Sequence, residues 1–457
     1  MGPWARSPRI AKLVAVLVPL GLLPAAATAA AAPPARFQVG AARESIAPNV
    51  PIYAGGFGIG DPISTVRDPV NDPIEVRALY VSNGTRAVAF VVADVQAFFP
   101  GYQEGPQFGT AAIRRGAAEA ISQAQGVRMG PEDIVVQGSY THSGATLEGL
   151  WGPVPLPYLE LVHQRAIQAL TEAAAHARPA YLQATTVDAP QLIDTVLNQG
   201  GEYAGWSTDH QVSVLRAADP CTGGTIATFF NVPAHPDIVN GARLHVLSDD
   251  YLGEARSRLD AALGGVSIGS PATVGRQEAP VQTTNPDEAA WYGRAVANVI
   301  AEALPHAAWV TSDRLDGVDR IVDIPGTNAA LLAMNAAWHG SDAQRQQVAQ
   351  ATGIYPIDRS DQPPYLTGTV IGTPVTALRI GGLLYLSMPG EPFPEVRATI
   401  ARDTAGADEV VALSKGQDDL AYFYPSWAYP VTLAWGSDHW EYNVAPQAGD
   451  QIVQGQL

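Results

Sequence analysis

Two histidines stand where apolar runs give way to turns. His142 lies in VVQGSYTHSGATLEG (135–149), between Thr141 and Ser143, just past a strand-like run. His235 lies in FFNVPAHPDIVNGARLHVLSDDYLG (229–253), between Pro233 and Pro236, which stiffen its turn. An imidazole must be held in one orientation to act as a metal ligand or a base, and a stiff strand-end turn does that. Other histidines read differently. His163 and His176 lie on a helix-like segment, His306 follows another, and His245 and His339 have no evident partners. A carboxylate completes the set: Glu391 in YLSMPGEPFPEV (385–396) follows a strand-like run on a Pro-Gly turn and precedes a helix. A helix N-terminus also favours a carboxylate on electrostatic grounds, so position alone assigns it no role. The chain has no HExxH, GxSxG, P-loop or GxGxxG in a fitting context. Zincin, serine-hydrolase and nucleotide-binding readings therefore have no support.

The elements that must position these groups alternate along the chain. EVRALYVS (75–82) and RAVAFVVAD (86–94) flank Asn83-Gly84-Thr85, a hairpin signal. Strands are expected at 133–139, 181–187, 212–217, 225–233, 375–380, 383–388 and 409–414. Helices are expected at 109–124, 158–177, 249–263, 287–304 and 392–403, on apolar residues at helical spacing. The second ends before Pro179. No internal repeat and no low-complexity linker divides the chain. The pattern predicts a mixed α/β (α+β) fold: one large layered domain, its sheets covered by helices, with chemistry on the long loops after strands.

The first 32 residues read as a secretory signal. Arg6, Arg9 and Lys12 precede an apolar run from Leu13 to Leu23 and then small residues. No later stretch is apolar over the length a membrane span needs. A secreted protein with its domain at 36–457 is expected. The formal net charge is -17, which disfavours nucleic-acid partners. One cysteine, Cys221, excludes an internal disulfide. Lysine occurs only at Lys12 and Lys415, beside plentiful arginine, and reads as genome composition.

Taken in order, these segments resemble the neutral/alkaline ceramidase family, zinc-dependent amidases of the N-acyl bond of ceramide. VGAARESIAP (39–48) is similar to the family's opening, VVADVQ (91–96) to its Ser-Ala-Asp-like strand end, and SYTHSGA (139–145) to its THTHSGP. VLSDDYLG (246–253) after His235, MPGE (388–391), DDLAY (418–422) and HWEYN (439–443) follow in the family's order, across nearly the whole mature chain. The resemblance implies a ceramidase-like catalytic domain without the family's C-terminal immunoglobulin-like domain. It also implies zinc ligands at His235, Glu391 and Tyr422. The fourth ligand position falls on Tyr140, where the family has histidine, and the family's site arginine falls on Gln199.

Three arrangements stay open. Tyr140 ligates as phenolate, His142 completes the set, or no metal binds. If zinc binds, its water attacks an N-acyl amide of a small molecule or lipid. His142 or Tyr422 then donates to the oxyanion, and Asp250 or Asp237 carries the proton. The competing readings are a metal-free binding protein on the same fold and an esterase.

Overall fold

Both faces of the central strands are apolar, and this decides the architecture. In Ala87–Ala93, residues Ala87, Ala89, Val91 and Ala93 face one core, and Val88, Phe90 and Val92 face another. Period-2 alternation with both faces buried requires a layer on each side. In the computed structural model, which describes residues 35–58, 60–195, 206–281, 283–328, 347, 366–367, 370–435 and 442–457, those layers are helices on one side and a second sheet on the other.

The first sheet contains β1 (Phe37–Ser45), β2 (Glu75–Ser82), β3 (Ala87–Ala93), β4 (Ile134–Gly138), β5 (Arg178–Asp188), β6 (Gln211–Ala218), β7 (Thr225–Val232) and β8 (Val266–Pro271). Their spatial order is β4-β3-β2-β1-β5-β6-β7-β8, and a two-residue strand, Ala308–Trp309, joins β5. The pairs β3–β4 and β7–β8 are parallel and the others antiparallel. The second sheet orders β9 (Leu315–Pro325), β10 (Val370–Ile380), β11 (Leu383–Met388) and β12 (Glu409–Ser414), with β11 and β12 parallel.

Four layers result. Helices α1 (Thr110–Gln125) and α2 (Leu156–Ala175) cover one half of the outer face of the first sheet. Helices α3 (Asp250–Leu263) and α4 (Pro286–Ala303) cover the other half. Helices α5 (Pro394–Asp403) and α6 (Ala448–Gln456) cover the second sheet. Between the sheets, Phe90 meets Phe229 and Tyr385, each at 5.0 Å between ring centres. Replacing a fully buried ring of this kind by alanine costs about 3–5 kcal/mol.

Local signals account for the boundaries. The β2–β3 hairpin turns at Asn83, whose side chain accepts the N–H groups of Thr85 and Arg86, and at Gly84, which has φ 86°. Helix α4 starts with Asn285 accepting from the Glu288 N–H and with proline at its first position. All elements expected from the sequence are present. β1, β8, β9 and α6 are additional. The leader lies outside the described residues. Among the described residues, no helix is long and apolar enough to cross a membrane.

Candidate functional site at the strand ends

The parallel pairs leave several strand ends together, and the turns beyond them converge. His142 follows β4, His235 follows β7, Glu391 follows β11 and Lys415 follows β12. The two sheets are stitched at this end. Gln417 donates its backbone N–H to Val136 O (2.8 Å) and its side-chain amide to Ile134 O (2.8 Å), and an isolated bridge joins Gln137 to Gly416.

The small polar residues of Tyr-Thr-His-Ser-Gly fix the turn. Thr141 Oγ1 donates to Ser248 O (2.7 Å) and Ser143 Oγ to Val246 O (2.6 Å). The His142 N–H donates to Pro236 O (3.0 Å), so the two histidine turns hold each other. His235 is oriented by Gln277, whose carbonyl lies 3.2 Å from Nδ1 and also accepts the His235 backbone N–H. Glu391 is placed by Gly390 at φ 133°, where a Cβ would stand 2.3 Å from Ala421 O. The short strand Glu391–Pro392 then pairs with Tyr422–Phe423, setting Glu391 opposite Tyr422.

Left-handed backbone concentrates here. Tyr140 (φ 65°), Arg276 (φ 62°), Lys415 (φ 56°) and Ala421 (φ 56°) are all non-glycine. Each such residue costs of order 1 kcal/mol and persists only where its surroundings hold it.

Glu391 is the hub. His235 Nε2 lies 3.0 Å from its Oε2, Lys415 Nζ donates to Oε1 at 2.9 Å, and the Tyr140 hydroxyl also hydrogen-bonds it. Lys415 donates in addition to both oxygens of Asp419 at 2.8 and 2.9 Å, and its ammonium lies 4.1 Å from the Tyr140 ring centre. Tyr140, His142, His235, Glu391 and Lys415 are all buried. Burial alone would raise the Glu391 pKa; Lys415 and His235 reverse this and hold it well below the usual carboxylate range. Burial opposes charge on His235, but Glu278, Glu391 and Asp237 outweigh it and lift its pKa to about 10. Both ring nitrogens of His235 face oxygens that accept, as an imidazolium requires. Burial and the carboxylate of Glu391 keep the Tyr140 phenol protonated.

His142 differs from all of these. Its ring packs edge-on against Tyr140 (4.9 Å) and Phe57 (5.1 Å) and lies 6.0 Å from the His235 ring. Neither of its nitrogens has a hydrogen-bond partner among the described residues. Burial, and then the charge on His235, lower its pKa to about 3, so it is neutral at ordinary pH. A buried, neutral ring with both nitrogens unpaired is a candidate contact for a bound molecule or a water.

The structure thus brings together Tyr140, His142, His235, Glu391 and Tyr422, whose ring lies 6.4 Å from that of His235. Asp250 is engaged elsewhere. Its oxygens accept the N–H groups of Val239 (2.6 Å) and Tyr251 (2.7 Å), and burial pushes its pKa up to about 8. Asp237 lies closer to the chemistry, within electrostatic reach of His235. Gln199 lies outside the described residues. Lys415 was missed. Its signal was that it is the sole lysine after residue 12 in an arginine-rich chain.

The zinc ion that the resemblance implies does not suit these groups. Among the described residues, no three His, Cys, Asp or Glu side chains are arranged to hold a metal. Glu391 already accepts from three donors, Tyr140 stands where a fourth ligand would be neutral imidazole, and an ammonium occupies the anionic side.

No family model matches the chain, and no curated protein matches it. Solved structures do. The neutral ceramidase of Pseudomonas aeruginosa superposes with a TM-score of 0.69 at 17% identity, covering 92% of this chain and 73% of that one. A ceramidase complexed with C2 gives 0.66 at 16% identity, covering 92% and 74%. At this identity the likeness establishes a ceramidase-like fold.

Proposed function

We propose that this protein is a hydrolase of ceramidase type, cleaving the carbon–nitrogen bond of an N-acyl compound, a ceramide-like lipid or a smaller relative. The observation that carries this is His142: a neutral imidazole with two unpartnered nitrogens, buried beside a charge-balanced cluster. The ceramidase-like fold supplies the substrate class by analogy.

In this reading His142 accepts a hydrogen bond from the attacking water and orients it, and the water's proton passes to the departing amine nitrogen as the carbon–nitrogen bond breaks. The amide carbonyl develops negative charge in the field of the buried cations His235 and Lys415. His235, protonated and tied to Glu391, keeps the local field positive. Zinc hydroxide has no part in this mechanism, because the donor set does not suit the ion. A leader peptide and a secreted chain are consistent with the sequence and form part of the proposal.

A second reading has its own observation. Ser139, Thr141 and Ser143 each donate their hydroxyl inward, to Asp249, Ser248 O and Val246 O, so none of the three is poised as a nucleophile. That favours a protein that binds an N-acyl ligand without cleaving it. Incubation with a matched N-acyl amide and ester pair, read by mass spectrometry, separates the readings. Amide cleavage lost in His142→Leu supports the hydrolase. Ester cleavage alone makes it an esterase. Saturable binding with no product leaves the binding protein.

A further inference from the structure

Two acids, Glu391 and Asp419, direct their oxygens at one buried point, and that point is the Lys415 ammonium. Its contacts are complete. Glu391 Oε1 lies at 2.9 Å, the Asp419 oxygens at 2.8 and 2.9 Å, and the face of Tyr140 at 4.1 Å. Carboxylate oxygens on one side and an aromatic face on the other form a cage for a compact cation.

The backbone is shaped to deliver that cation. Lys415 sits at φ 56°, held by its N–H to Gly390 O (2.9 Å) and by the Gly416 N–H to Met388 O (3.0 Å). Tyr140, at φ 65°, turns its ring onto the ammonium and its hydroxyl onto Glu391. Two strained residues from different sheets thus build one cage. In a chain that otherwise uses arginine, the residue in the cage is a lysine, whose charge is a point and not a plane.

We propose that Lys415 is the resident cation of this site, its ammonium neutralising Glu391 and Asp419 in the way a divalent ion would, so that the chain binds no zinc at His235 and Glu391. A dication beside Glu391 would lie next to a fixed positive charge in a poorly screened interior. The two unusual residues form one exchange: an imidazole gives way to the Tyr140 ring, and a metal gives way to the ammonium that ring covers.

The test is metal content after equilibration with zinc and dialysis, read by plasma emission. It uses the wild type, Lys415→Arg and the double variant Lys415→Met/Tyr140→His, with folding checked by circular dichroism. The wild type and Lys415→Arg should hold no stoichiometric metal. The double variant should take up about one zinc per chain, and zinc should raise its thermal midpoint while leaving the wild type's unchanged. About one zinc in the wild type, lost in His235→Ala, would overturn the proposal. So would a folded double variant that stays empty. If the double variant does not fold, the wild-type measurement decides alone. Metal content is read without any substrate, so this result is separate from whether the protein is a hydrolase.

Discussion

Two buried ion clusters stand one hydrogen bond apart in this protein, and they are built on different cations. Beneath the first sheet, Arg256 donates to Asp94 through Nη1 (2.7 Å) and Nη2 (2.9 Å) and pairs with Asp249 at 2.8 Å. At the strand ends, Lys415 pairs with Glu391 and Asp419. Ser139 connects them: its hydroxyl donates to Asp249 at 2.6 Å, and its neighbour is Tyr140. The arginine cluster is planar and locked. Asp94 accepts the Glu75 N–H as well. The lysine cluster is a point charge among strained residues, beside His142, whose nitrogens have no partner among the described residues. A rigid fork serves to fix the fold, and a compact ammonium serves to set the field of a site.

The comparison can be broken in four ways, from the largest effect down. Arg256→Met strands two fully buried carboxylates and should cost about 3–5 kcal/mol in chemical denaturation. A loss under about 1 kcal/mol would end the claim that this cluster is the structural one. Lys415→Met should fall at the lower end of the same range, about 3 kcal/mol. Part of that loss should return as the pH falls, because Glu391, buried and no longer held by an ammonium, takes up a proton more readily. No recovery would show that the lysine acts by packing alone.

The third effect is in the pH profile of the wild type. The His235 pKa rises from 6.5 to about 10 on folding. The folded state therefore binds more protons than the unfolded one between those values, and this stability, complete below about pH 6.5, is lost as pH rises toward 10. Glu148, lifted to about 8 by burial and the charge of Asp419, works in the same direction. Thermal midpoints should decline across that window, and less steeply in His235→Gln. The smallest effect belongs to His142→Leu. Removing two unpartnered buried nitrogens should leave stability within about 1 kcal/mol, or raise it, while cleavage falls by about 10²–10⁴-fold. A large destabilisation would make His142 a structural residue.

Much of the architecture was legible because it rests on periodicity. The β2–β3 hairpin, α2 and the strand before His142 follow from alternation, helical spacing and Asn-Gly. β9 was not legible. LDGVDRIVDIP carries Asp, Arg and Gly on a strand that is mostly exposed, so its pattern is too polar to stand out. The site was legible in its histidines and Glu391, which sit on stiff turns after apolar runs. Asp250 accepts the N–H groups of Val239 and Tyr251, a contact the sequence did not show, because an acid at a helix start looks the same whether it serves the backbone or a substrate. Lys415 escaped because it reads as composition inside a segment, SKGQDDLAYFYP (414–425), whose tyrosines stand out instead. Its meaning came from Tyr140 and Glu391, both distant in sequence, and its rarity was the only local clue.

The stitch between the sheets has a consequence for synthesis. β4 is an edge strand, and the groups that complete it, on Gln417, are encoded about 280 residues later. At 5–20 residues per second, that edge waits roughly 15–55 s for its partner. Throughout that time the nascent chain displays an open apolar strand, a template for pairing with other chains. The site can be completed only near the end of translation, after nearly everything else has found its place. Yield in the cell should therefore depend on how well this edge is shielded while the chain is being made.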